Sequence, residues 1–272
     1  MAKYKSSAAR RNSEQSRKAW ILIVVVGIIV AAFSGVFFTL KSKQRVLDQV
    51  TLCPPDPDSL TVLLVDVTDP MNLAQRQDFL NQLERLRNSI PRYGKLSIVK
   101  VDATSSRLLS PVIERCNPGT AADAGELTGN PRALQEKWEK GFRDPLTQAF
   151  SQLATASGAA RSPILESVQS VALTEFQNAQ AQSKPRRLIL ASDLLQHTDR
   201  LSFYGRLPSV EEVIGSDAFR AARTDLSGIS VELWMLQRLD GKQTQPRALP
   251  QLWDILIREQ GGTVPRSYTV SG

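Results

Sequence analysis

Two apolar runs in the 272-residue chain end in an aspartate: Leu60-Thr-Val-Leu-Leu-Val-Asp66 and Arg186-Arg-Leu-Ile-Leu-Ala-Ser-Asp193. A near-continuous apolar run of this length is the pattern of a strand buried on both faces, as in a parallel sheet. In open sheets of that kind, ligands lie beyond the carboxyl ends of the strands, near the point where strand order reverses. Both carboxylates therefore belong at the binding edge. Thr68 follows in Val67-Thr68-Asp69-Pro70, and Ser162 stands just before the helix signal at Pro163. Hard divalent cations, Mg²⁺ or Mn²⁺, take oxygen ligands from carboxylates, hydroxyls and water. Asp66, Thr68, Ser162 and Asp193 form a sensible donor set for one. Each acid also has an ordinary role open to it, since aspartates at strand ends cap helices or satisfy loop amides. Asp69 before Pro70 reads as a helix N-cap with proline at the first helical position.

Other chemistries find less support. The single histidine, His197, lies four residues after Asp193 in a polar loop, and with two cysteines it leaves a structural zinc site short of ligands. There is no Gly-x-x-x-x-Gly-Lys-Ser/Thr, no Gly-x-Gly-x-x-Gly and no Gly-x-Ser-x-Gly. Asp66 and Asp69 are three apart, so they make no Asp-x-Asp pair for phosphoryl transfer. Trp234 and Trp253 fall in apolar patterns and read as core. The expectation is binding without catalysis.

The elements that must position these residues alternate. A helix is expected from Asp69 to about Asn88, a strand from Lys95 to Asp102, and a third short strand over 107–113. Residues 116–131 hold three glycines and two prolines and read as a loop, with Cys116-Asn-Pro-Gly119 as a turn signal. Helices are expected at 131–141, 144–156, 163–182 and 209–223. A strand follows at 229–236, and a last helix over 250–260 stops at Gly261-Gly262. Thr263-Val264 adds a short edge strand. Strand–helix–strand repetition implies an α/β fold: a doubly wound, mostly parallel, Rossmann-like sheet with helices on both faces.

On these residues the chain resembles the von Willebrand factor A-like (vWA) family. That family has a doubly wound sheet and a metal-ion-dependent adhesion site, whose first motif is Asp-x-Ser-x-Ser after the first strand. Here Asp66 matches, Thr68 replaces the first Ser with its hydroxyl kept, and Pro70 stands at the second. Ser162, in Arg-Ser-Pro-Ile-Leu, resembles the second-loop Thr, and Asp193 the third-loop Asp. The resemblance covers roughly residues 60–260. It implies a degenerate site for Mg or Mn at which an acidic side chain of a partner protein completes the coordination.

Trp20 to Leu40 is a run of twenty-one residues without a charge. A bilayer core of roughly 30 Å needs about 20 helical residues, so this run reads as one transmembrane helix. It is longer than the apolar region of a cleaved signal peptide. Six Lys or Arg precede it and three follow within five residues. That bias favours a cytoplasmic N-terminus and an external C-terminal domain, as in a bacterial inner-membrane protein with a periplasmic domain. Gly27, Ala31 and Gly35 recur every four residues, a stripe that suits either a homo-oligomer contact through the helix or ordinary lipid packing.

The net charge of +7 is local. Residues 1–45 carry nine Lys or Arg against Glu14, whereas the remainder carries 25 bases and 26 acids. The globular part thus gives no electrostatic reason to bind nucleic acid. Residues 1–19 are expected to be a basic, disordered tail, 41–59 a stiff Pro-rich tether, and 60–272 the vWA-like domain. Cys53 and Cys116 lie beyond the span, where a disulfide forms if that side is oxidising, and otherwise both stay thiols. Three functions stand: a metal-dependent binding module, a structural subunit of a membrane complex with a vestigial metal-free site, for which Pro70 argues, and a Mg-dependent phosphoryl hydrolase.

Overall fold

The computed structural model describes residues 7–42, 45–66, 71–102, 108–125, 129–153, 160–238 and 245–271. Contacts divide the chain into two units, Met1–Val46 with Gly125–Gly129, and Leu47–Ala124 with Asn130–Gly272.

The first unit contains α1, Ser7–Ser42. Within it Ala19–Val36, of mean hydropathy 2.7, is the one stretch among the described residues long and apolar enough to cross a membrane. Apolar side chains stand exposed all round it, Trp20, Ile23 and Phe33 among them. A helix apolar on every side suits a membrane span. The helix reaches back to Ser7, through much of the segment expected to be disordered. Extension from an existing helix avoids the cost of a new nucleus, so residues of fair helix propensity simply continue it.

The second unit is built on six strands: β1 Leu60–Val65, β2 Lys95–Lys100, β3 Ile113–Cys116, β4 Arg186–Ser192, β5 Ile229–Leu236 and β6 Thr263–Val270. Their order is β3-β2-β1-β4-β5-β6, and only β2–β3 is antiparallel. This is the doubly wound, mostly parallel α/β sheet that the sequence implies. Its strand order reverses between β1 and β4. All six β1 residues are buried, and their alternation serves two cores. Leu60, Val62 and Leu64 face the layer of α5 (Ile164–Val171), α7 (Val210–Ile214), α8 (Asp217–Ala222) and α9 (Leu249–Glu259). Leu63 and Val65 face α2 (Leu73–Ser89) and α4 (Asp144–Leu153). Each such side chain contributes about 1.5–3 kcal/mol relative to exposure.

Several elements depart from expectation, each for a local reason. Asn72, not Asp69, caps α2: its side chain accepts from Gln75 N at 2.8 Å, and the Gln75 side chain accepts from Asn72 N at 3.2 Å. Asp69 itself lies outside the described residues. The third strand is Ile113–Cys116 rather than 107–113: Cys116 stands opposite Lys95, and Asn117 extends the pairing by donating to Gly94 O at 3.0 Å and accepting from Tyr93 N at 2.7 Å. The expected 163–182 helix runs as α5, a π turn at Ala172–Phe176, and a separate α6, Ala179–Gln182, recapped by Asn178. A second π turn, Glu139–Arg143, joins α3 (Pro131–Trp138) to α4. Ser216 starts α8 afresh after α7. The edge strand β6 has eight residues rather than two.

The expected tether also differs, since residues 47–59 belong to the second unit. Asp48 Oδ1 accepts from Val50 N and Thr51 N at 2.9 and 2.7 Å, closing a tight turn. Cys116 N donates to Thr51 O at 2.8 Å. Leu52, at φ 59°, is buried against Gly141, where a built Cβ would come within 2.5 Å of Leu52 Cδ1. The glycine in the π turn makes room for the leucine.

Candidate functional site: the rim between β1 and β4

Asp66 and Asp193 each follow directly on a strand, β1 and β4, and those strands are hydrogen-bonded neighbours with Val65↔Ala191 in register. Asp66 N donates to Ala191 O at 2.8 Å. The two acids therefore stand side by side at the carboxyl edge, where strand order reverses and such sheets bind ligands. Both side chains are buried, Asp66 at 2 % and Asp193 at 5 % exposure.

Ser162 joins them from the loop before α5. Its N–H and C=O pair with the backbone of His197 at 2.9 Å each, and its hydroxyl donates to Asp66 Oδ2 at 2.5 Å. Thr68 lies outside the described residues. His197, half-buried, stacks on Tyr204 with ring centroids 4.2 Å apart, and its Nδ1 lies 2.9 Å from Ser202 Oγ. Trp253 is core, as its pattern suggests, but its indole N–H also donates to Leu194 O at 2.8 Å. That bond holds Leu194 at φ 64°, a left-handed conformation unfavourable for a side-chain-bearing residue. Gln196 pins the same loop to α5, accepting from Leu165 N and donating to Glu166 Oε2.

Three further residues complete the cluster. Ser192, at 0 % exposure, places its hydroxyl 3.1 Å from Asp66 Oδ2 and 3.4 Å from Asp193 Oδ1, and accepts from Leu194 N. A hydroxyl has one hydrogen, so it serves one of those carboxylates at a time. Arg238, just past β5, donates from Nε to Asp193 Oδ2 at 2.6 Å. Its Nη2 reaches Tyr204 OH at 3.0 Å and its guanidinium lies over the Tyr204 ring. Gln245 bridges the two sides, accepting from Arg238 N and donating to Asp193 O. Sequence reasoning missed Arg238, because its place two residues past β5 gains meaning only once β5 lies beside β4.

The electrostatics follow from this crowding. Burial first, and then the Asp66 charge, push the Asp193 carboxyl up to about 7, while Arg238 and the Leu195 N–H act in the opposite direction. The four proposed ligands thus resolve into three that converge, Asp66, Ser162 and Asp193, and one outside the described residues. Among the described residues no group of three or more His, Cys, Asp or Glu is placed to hold a metal. At least three of the four carboxylate oxygens of the two acids are also engaged. Asp66 Oδ2 faces two serine hydroxyls, Asp193 Oδ1 accepts from Leu195 N, and Asp193 Oδ2 accepts from Arg238. A divalent ion shared by the two acids would meet the guanidinium at the same carboxylate. The described donors fit an internal cation better than a bound one.

No protein-family model matches the sequence, and no curated protein matches it. Among solved structures, one described as an aerotolerance-related membrane protein from Bacteroides fragilis NCTC 9343, with multiple mutations to serines, matches at 11% identity. The match covers 79% of this chain and 92% of that chain, with a TM-score of 0.37. At that score the fold rests on the strand order and the two cores themselves.

Proposed function

We propose that this protein is a membrane-anchored protein-interaction module that works without turnover. Its recognition edge is the rim between β1 and β4, and Arg238 supplies there the positive charge that a divalent cation supplies in the vWA-like sites it resembles. The observation that carries this reading is the buried Arg238–Asp193 pair, 2.6 Å long, with side-chain exposures of 8 % and 5 %. A charge so placed neutralises one of two adjacent carboxylates and ties β5 to β4 at the rim. The rim is then a preassembled scaffold surface, close to the vestigial-site alternative drawn from Pro70. An acidic partner residue has no open metal position to fill.

The anchor is α1, with the N-terminus cytoplasmic and the second unit external. The Cys53–Cys116 disulfide supports that side, because such bonds persist in oxidising compartments. Catalysis finds no support in a pair of engaged acids and a histidine stacked on tyrosine.

A metal-dependent version keeps one specific observation in its favour, the convergence of Asp66, Ser162 and Asp193. Calorimetric titration of Mg²⁺ and Mn²⁺ into the full chain in detergent micelles separates the two. We expect no saturable heat from the wild type. Saturable binding that D66A and D193A both abolish would overturn the internal-cation reading and restore Mg or Mn as cofactor.

A further inference from the structure

A second surface shares no residue with the rim. On the sheet face that carries Ile189 and Ala191, α2 and α4 pack over the middle strands. The same face continues across β5 and β6 as Glu232–Arg266 and Trp234–Tyr268, which are cross-strand partners. Between that floor and the C-terminal half of α2 runs a groove of about 530 Å³. Gln82, Arg85 and Ser89 form its helical wall, and Arg187, Arg266 and Tyr268 line the sheet side.

The charges in this groove are unequally engaged. Glu232, its one lining acid, is held by Arg187 through two bonds of 2.9 Å. Asp78, one α2 turn from Gln82, accepts from Tyr268 OH at 2.7 and 3.0 Å. Arg85 and Arg266 are exposed, and neither makes an ion pair among the described residues. Two guanidiniums therefore face an open groove whose only acid is already paired. Guanidinium forks match carboxylates bidentately. The groove is also bounded by β6, an eight-residue edge strand paired, among the described residues, only with β5. Its outer edge offers backbone groups to an added strand at positions other than Pro265, which lacks an N–H.

We infer that the α2–β6 groove is a docking site for an extended acidic segment of a partner protein. The segment lies along β6 and sets carboxylates on Arg85 and Arg266. The charge pattern selects this occupant, because a neutral or basic segment would leave both guanidiniums unmatched. The inference goes beyond the rim proposal and stands whether or not the rim binds metal.

The test is site-specific photocrosslinking on the full chain in detergent micelles. A benzoylphenylalanine replaces Ser89, whose exposed side chain meets Arg187 in the groove, or, as control, Arg220 on α8, whose exposed side chain lies outside the groove. The probe is a biotinylated hexaglutamate peptide, with hexaglutamine as the neutral comparison and anionic phosphatidylglycerol vesicles as a competing surface. The basic N-terminal flank also attracts polyanions, so the yield at each position is read rather than total binding. We expect hexaglutamate to crosslink at 89 but not at 220, and the R85E/R266E variant to lose about tenfold of the yield at 89. R85K/R266K should retain most of it. Equal yields at 89 and 220, no yield at 89, an unchanged yield in R85E/R266E, or vesicles removing the 89 crosslink in R85E/R266E and wild type alike would each overturn the inference.

Discussion

Replacing Cys53 and Cys116 together by alanine tests how the start of the domain is held. The bond joins residues 63 apart. In the chain-entropy description, freeing a loop of that length returns about 14 cal/mol/K to the unfolded chain, or about 4 kcal/mol at 25 °C. The folded state should change little. Thr51 O still accepts from Cys116 N, a backbone bond that alanine keeps, and Leu52 still packs on Gly141. The loss therefore acts through the unfolded state and should match that estimate. Urea unfolding in detergent, followed through the buried Trp253, reads it directly. The midpoint temperature should fall by about 8–16 °C. Wild type treated with a strong reductant should lose the same amount. A loss below about 1 kcal/mol in the variant would refute the reasoning and mean that the unfolded chain is already constrained there.

Asp193 should make stability depend on pH. Its folded carboxyl titrates at about 7 against 3.8 for an ordinary aspartate. The folded protein therefore keeps a proton that the unfolded chain releases in between. The contribution is full below about pH 4, falls as pH rises to about 7, and is flat above. D193N should abolish the fall, and wild-type stability that rises relative to D193N over pH 4.5–7 contradicts this. At the start of α2, N72A should cost about 1 kcal/mol and N72G only a few tenths, measured by thermal unfolding. Equal costs would show that the Asn72 side chain is not acting as the cap.

β1 and β4 were readable because each is a buried run closed by an acid, and burial on both faces leaves a continuous apolar signal. That their acids meet was less readable, since strand order is a long-range property. Ser192 was hidden as the last residue of a strand, where a small polar side chain in a hydrophobic run draws no notice. Arg238 is one of 34 Lys and Arg, and its role exists only because β5 lies beside β4. The tether misled for the opposite reason. Three prolines after Cys53 do resist helix and strand, but whether the segment is free or fastened depends on Gly141, almost ninety residues on. The π turns left no trace in periodicity, because an extra residue in a helix shifts a pattern without erasing it. The α2–β6 groove arises from the length of β6, of which only Thr263-Val264 was legible.

The fastening of residues 48–53 has a mechanical consequence. Tension arriving along the chain from the N-terminal side meets Cys53 before it meets the sheet. From there a covalent bond carries it into Cys116 at the end of β3, the outermost strand. Without that bond the same pull would travel through 54–59 into β1, which lies between β2 and β4 in the middle of the sheet and supplies Asp66 to the rim. Peeling β1 would separate the two buried acids and both cores at once. The disulfide diverts strain to a four-residue edge strand and keeps the centre of the sheet slack.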